Sequence, residues 1–232
     1  SIENISGSNT GADMILGNAS DNTILGNAGN VSLFGASGDD SIDGGVGNDT
    51  IAGGAGVDII TGGAGDDVLR GGGSAYNSAN TADSSADTLY GNVGNDTLYG
   101  MLDGDTLYGG DNATTFSGND RIDYSGLGAG SAVYIDINAT AGQSFAQLVG
   151  TPTTTDTIFG FNTVIGSNGN DTIVGNVNDN IINAGSGDDV IYMSPIATGS
   201  SSSNAGNDTI DMGDGNDKLY VFASELTSTD II

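Results

Sequence analysis

The run from Gly44 to Arg70 reads GGVGNDTIA, GGAGVDIIT and GGAGDDVLR, at residues 44–52, 53–61 and 62–70. Gly-Gly opens each unit, Asp49, Asp58 and Asp67 fill position six, and Ile51, Ile60 and Leu69 fill position eight. A period this short and strict marks a repeat architecture, in which a small unit buries its apolar face only by stacking on its neighbours. The same nine-residue frame extends back without a gap through Ser8, Gly17, Gly26 and Gly35. It reappears from Ala82, Gly91 and Gly100, from Thr115, from Gly166, Gly175 and Ala184, and from Ser203 and Met212. Position eight is Ile or Leu in every unit, and position six is Asp except at Asn22, Val31 and Asn180. Acidic chains poor in aromatics are often disordered, but a disordered chain has no reason to keep an aliphatic register.

Composition agrees with many short elements rather than one thick core. Glycine supplies 41 of 232 residues, and the net charge is −27. Such a charge argues against nucleic-acid phosphates and anionic membranes as partners. Of the 30 acidic residues only Glu3 and Glu225 are glutamate, so the acid is Asp, the short carboxylate of tight turns and calcium loops. The chain has no Cys and no His, which removes disulfides, Cys-ligated metals, zinc proteases of the HExxH kind and Ser/His or Cys/His catalysis. Its abundant carboxylates belong to the repeat, so the chain is read as no enzyme. No apolar run approaches membrane-spanning length, and Ser1-Ile2-Glu3-Asn4 shows neither the basic nor the apolar part of a cleaved leader.

The pattern resembles the RTX nonapeptide GGxGxDxUx, where U is a large apolar residue. The resemblance implies an all-β fold: right-handed parallel β-roll (β-solenoid) blocks in which two nonads make one coil. It also implies several Ca²⁺ ions held by position-six carboxylates, here Asp40, Asp49, Asp58, Asp67, Asp87, Asp96, Asp105, Asp120, Asp171, Asp189, Asp208 and Asp217. Coils of a parallel solenoid stack about 4.8 Å apart. Two oxygens on opposite sides of a Ca²⁺ lie about 4.6–5.2 Å apart, whereas Mg²⁺ wants shorter bonds and strict octahedral geometry. Unscreened, facing carboxylates at that spacing repel by roughly 1 kcal/mol in water and roughly 3–4 kcal/mol at an effective dielectric of about 20.

With residues 18 apart facing each other, Asp40 pairs with Asp58 and Asp49 with Asp67. Asp87 pairs with Asp105, and Asp96 with Asp120 once the extra residues near Asp111 bulge out. Asp171 pairs with Asp189, Asp189 with Asp217, and Asn180 faces Asp208. Val31 and Asn22 interrupt the rows next to Asp13, so the first coils are expected to bind calcium poorly.

The frame divides the chain into a first block with its loop (1–81), a second block (82–123), a β-rich insert (124–165), a third block (166–220) and a tail (221–232). Residues 71–81 and 193–202, rich in Gly, Ser and Asn, read as loops. In the insert, Val133, Ile135 and Ile137 alternate with Tyr134 and Asp136, a half-buried strand, and residues 157–165 give another. The insert is expected to pack over the end of a roll, with Asp136 and Asp156 as ordinary surface aspartates rather than extra calcium ligands. IENISGSNTGADMILGNASDNTILGN near the start echoes FNTVIGSNGNDTIVGNVNDNIINAG from Phe161, as in a duplicated larger unit. Tyr90, Tyr99, Tyr108, Tyr192 and Tyr220 occupy position nine and face outward, as cross-strand packing or as an assembly or glycan surface. Asn-x-Ser/Thr matches such as Asn95-Asp96-Thr97 are by-products of the repeat.

The tail VFASELTSTDII resembles the uncleaved C-terminal signal of type I secretion substrates; a strand cap explains it equally well. Together these features read as a secreted, calcium-binding module at the bacterial cell surface, of the S-layer or adhesin kind. Its partners would be calcium and either further copies in a lattice or a surface polysaccharide. The alternative is the calcium-dependent folding and export module of a secreted hydrolase or toxin whose catalytic domain lies elsewhere.

Overall fold

A computed structural model describes residues 3–73, 85–100, 103–111, 118–138, 144–150, 155–193 and 206–221. The bulge after Asp111, most of both Gly/Ser/Asn-rich segments and nearly all of the tail lie outside the described residues. Every regular element among the described residues is a β-strand. Except for three consecutive strands between residues 133 and 159, the strands alternate along the chain between two sheets, one of twelve strands and one of nine, and the fold is an all-β parallel β-roll.

The register follows the nine-residue period. Ile42 pairs with Ile24 on one side and Ile60 on the other, and Leu33 pairs with Ile15 and Ile51. Two nonads therefore make one coil, and each position-eight residue stacks on its equivalents above and below. From Ile15 to Ile210 all the position-eight side chains are buried, forming an aliphatic ladder on the inner face of each sheet. Burying each such side chain stabilises by about 1.5–3 kcal/mol relative to exposure. The inner space admits little besides these ladders, so strand pairing and turn contacts carry the rest.

The roll runs on past the inserted segments. Strand Ile59–Ala64 pairs directly with Thr88–Val93, and Val68–Gly72 with Thr97–Tyr99. The β-rich insert does not cap an end, contrary to expectation. Strand Phe145–Leu148 lies antiparallel between Thr155–Phe159 and Val133–Asp136, and the latter pairs in parallel with Thr172–Val174. Each of these strands is thus paired along both edges, and the alternation of buried Val133 and Ile135 with half-buried Tyr134 and Asp136 suits a place inside the sheet. The nine-stranded sheet skips the insert and passes from Arg121–Asp123 to Thr163–Ile165.

Position-nine aromatics stack along the outer face at the spacing of the coils. The ring centroids of Tyr90 and Tyr108, of Tyr108 and Phe159, and of Tyr192 and Tyr220 are each 4.8 Å apart. Arg70 lies over the Tyr99 ring, 3.9 Å from its centroid. The rings cover one another's faces and leave mainly edges to solvent, which favours cross-strand packing over a sugar-stacking platform.

The turns need glycine where coils touch. Gly63 has φ +117°, and a Cβ there would run into the carbonyl oxygen of Gly45 in the coil before. Gly63→Ala is expected to destabilise the calcium-loaded roll by about 2–4 kcal/mol. Gly11→Ala, at a similar φ but with open space around it, should cost about 1 kcal/mol. Urea unfolding in saturating calcium would compare them; equal losses would show that backbone conformation, not coil contact, sets the requirement.

Candidate metal centre

Each position-six residue sits in the turn just before a strand, where the chain enters a sheet. Of the aspartates expected to bind metal, all are buried except Asp217, which is half-buried near the last coil. Their carboxylates form ladders with one rule: Oδ1 accepts a hydrogen bond from the backbone N–H of position six in the preceding coil. In one column Asn22 N–H donates to Asp40, Asp40 to Asp58, Asp58 to Asp87 and Asp87 to Asp105, at 2.7–2.8 Å. In the other, Val31 donates to Asp49, Asp49 to Asp67, Asp67 to Asp96 and Asp96 to Asp120, at 2.7–2.9 Å. Past the insert, Asp171 donates to Asp189, Asp189 to Asp217 and Asn180 to Asp208. All the expected pairs are thus side by side, and the ladders also join Asp58 to Asp87 and Asp67 to Asp96 across residues 74–84.

The second oxygen is left over. Oδ2 of Asp40, Asp49, Asp67, Asp96, Asp105, Asp120 and Asp189 is buried and accepts no hydrogen bond. In Asp40, Asp49, Asp67 and Asp96 it lies against the glycine that opens the same nonad, Gly35, Gly44, Gly62 and Gly91, and in Asp120, whose nonad opens at Thr115, against Gly109, the residue that follows the preceding nonad. A Cβ on any of these glycines would meet it. Asp171 differs, because Ser167 donates to both its oxygens and the N–H of Val133 adds a third bond. Asp13, in the first nonad, is likewise occupied by Ser8.

An orphaned buried carboxylate oxygen is costly, and the electrostatics reflect it. Burial above all pushes the carboxyls of Asp67 and Asp96 up to about 7, and those of Asp120 and Asp189 up to about 6. Asp40 and Asp49 are raised for the same reason. Arg121 pairs with Asp123 at 3.5 Å and Arg70 is held over Tyr99, so neither guanidinium serves the ladders. Buried unpartnered carboxylate oxygens, set against side-chain-free turns at a 4.8 Å coil spacing, fit a hard divalent cation with all-oxygen coordination of the size of Ca²⁺.

Two features escaped the reading of the sequence. Asp156 is no surface residue: it is fully buried, and its Oδ1 accepts from the N–H of Asp105, the next rung of the first column. It fills position six of a further nonad, TPTTTDTIF at residues 151–159, with Ile158 at position eight. That unit contains no glycine; the signal was DTIF, which repeats the DTLY of Asp96–Tyr99 and Asp105–Tyr108. Asp136 is half-buried and caps its own turn by accepting from the N–H of Asn138.

Position five forms the second feature, an exposed ladder running the opposite way. Asp21, Asn30, Asp39, Asn48, Asp66, Asn95, Asn170, Asp179 and Asp188 each accept through Oδ1 from the position-five N–H of the following coil. Position five thus bonds the coil after and position six the coil before. The signal was the frequency of Asn and Asp at position five.

Comparison with known families agrees with this geometry. A family model described as the RTX calcium-binding nonapeptide repeat, in four copies, matches residues 8–42, 16–51, 43–75, 81–116, 156–192 and 202–220, well over half of the chain. No curated protein matches the chain.

Proposed function

The chain belongs to the RTX calcium-binding nonapeptide repeat family, and from that premise we propose that it is a calcium-folded structural module of a secreted bacterial surface protein, of the S-layer or adhesin kind. The observation that carries this is the row of buried carboxylates whose second oxygen has no partner but the turn beside it. Asp40, Asp49, Asp58, Asp67, Asp87, Asp96, Asp105, Asp120, Asp171, Asp189, Asp208 and Asp217 would supply the acidic ligands, and turn carbonyl oxygens the neutral ones. Calcium, when bound, supplies charge neutralisation and oxygen coordination, not reaction chemistry. The chain's own residues set the register through Oδ1 and the position-eight ladder, and in Asp40, Asp49, Asp67, Asp96, Asp105, Asp120 and Asp189 leave Oδ2 for the ion. A rigid roll whose outer faces carry polar residues and stacked tyrosines suits a load-bearing or spacing role better than catalysis.

Asp67→Ala removes a ladder rung and an orphaned oxygen together, whereas Asp43 lies on the exposed outer face of its strand. The Asp67 variant is expected to bind fewer ions and to lose roughly several-fold in apparent calcium affinity. Asp43→Ala should match the parent. Calorimetric titration reads both, and equal losses would overturn the assignment of position six. The surface role is tested by electron microscopy of the calcium-loaded chain. Ordered arrays or filaments are expected, and strictly monomeric particles at high concentration would favour the export-module alternative.

A further inference from the structure

The geometry points to a second kind of cation site, built by Asp103, Asp105 and Asp156, that fastens strand Thr155–Phe159, late in the β-rich insert, to the roll. One carboxylate oxygen from each of these residues lies within 4.8 Å of the others. Asp103 and Asp105 stand in the turn before strand Thr106–Tyr108, and Asp156 in strand Thr155–Phe159. In the repeat a second carboxylate in the turn, where there is one, stands at position five and is exposed, as at Asp39, Asp66 and Asp188. Here Asp105 has a companion, Asp103, two residues earlier. Next to Gly100, the opening glycine of that nonad, lies the ring of Tyr124.

The site is built rather than incidental. Asp156 is fully buried and held in one orientation: its Oδ1 accepts from the N–H groups of Gly104 at 3.2 Å and Asp105 at 3.0 Å. Its Oδ2 accepts from the phenol of Tyr124 at 3.1 Å, and Tyr124 is itself fully buried. Asp105 is 1 % exposed, and its Oδ2 has no hydrogen-bond partner. A buried carboxylate with an unused oxygen, beside two further carboxylates, lacks a counter-charge.

The donors choose the ion. Three carboxylates without a nitrogen or sulfur ligand favour a hard cation over zinc or copper. Carboxylate oxygens within 4.8 Å of one another can share one cation, and Ca²⁺, with its flexible, high-number oxygen coordination, accepts such a set more readily than strictly octahedral Mg²⁺. Three negative ligands make the site tighter than repeat sites, where one carboxylate per turn is supplemented by neutral carbonyls, because affinity rises with ligand charge. Asp103 is half-buried and gives the ion a way in. The consequence is a clamp between residues about 50 positions apart in the chain. The proposal rests on the calcium reading above only for the identity of the ion.

Asp103 is outside the ladders, so substituting it spares every repeat site but the one to which Asp105 and Asp156 belong. In calorimetric titration of the full chain with Ca²⁺, Asp103→Asn is expected to lose the tightest ion, or to bind it at least about tenfold more weakly, with the remaining titration as in the parent. Asp103→Glu, which restores the charge, should recover much of that binding. Asp43→Asn should change nothing. Far-UV circular dichroism at saturating Ca²⁺ checks that each variant folds. Asp103→Asn and parent titrations that superimpose would overturn this site while leaving the repeat assignment intact. A parent that binds no calcium would overturn both.

Discussion

Stripped of calcium at neutral pH, the chain is expected to lose most of its β-sheet signal in far-UV circular dichroism, and to regain it at millimolar Ca²⁺. The folded roll buries ladder carboxylates whose second oxygens have no hydrogen-bond donor, and each orphaned oxygen costs on the order of 1–3 kcal/mol. Facing charges at the 4.8 Å spacing of the coils add repulsion along both columns. The thin core offsets only part of this, since net stabilities of natural domains are about 5–15 kcal/mol. Unfolding releases every carboxylate to water at once, and an ion that binds only the folded form shifts the balance back by mass action. Equal spectra in chelator and in calcium would mean that the core and strand pairing suffice alone.

Acid should do part of what calcium does. In the folded chain the carboxyls of Asp67 and Asp96 are pushed up to about 7, and those of Asp120, Asp156 and Asp189 up to about 6, from an ordinary 3.8. A carboxyl raised in the folded state binds its proton more tightly there than in the unfolded chain. The calcium-free roll is therefore most stable below about pH 4 and loses that stability as the pH climbs to about 6–7. These raised carboxyls all act in the same direction, so their effects reinforce one another. Chain dialysed free of calcium is expected to show β structure and resist urea near pH 4.5, and to unfold near pH 8. In calcium the dependence reverses at the low end, because protons displace the ion. A calcium-free chain as unfolded at pH 4.5 as at pH 8 would remove buried charge as the obstacle to folding.

Much of this was legible in the sequence because a stacked fold converts period directly into contact. Positions six and eight recur every nine residues, and the facing partners Asp40 and Asp58, or Ile42 and Ile60, follow once two nonads close a coil. What was not legible had lost the local signature. The nonad containing Asp156 has Thr and Pro where its relatives have Gly, so a frame keyed on glycine passed over it. Only its DTIF string and the free edge after Thr106–Tyr108 select its place. The strand Val133–Asp136 was visible by alternation, whereas Phe145–Leu148 was not read as a strand at all. The position of Val133–Asp136 was not visible either, because an alternating strand pairs with whichever edge the fold leaves open.

The ladder bonds also separate the length of the chain from the height of the stack. Half of the rungs join residues 18 apart, yet Asp58 to Asp87 spans 29, Asp96 to Asp120 spans 24 and Asn180 to Asp208 spans 28, with bonds of 2.7–2.9 Å in these three. In the sequence the added residues of these three rungs all fall after one strand has ended and before position five of the next nonad. A coil can therefore lengthen sideways by a dozen residues without altering the pitch, the two columns or the aliphatic ladder. Gaining or losing a single nonad would instead exchange every later strand between the sheets. Evolution, or a protein engineer, is free to vary such a roll by decorating its corners or by adding whole coils; the half-coil is the change it resists.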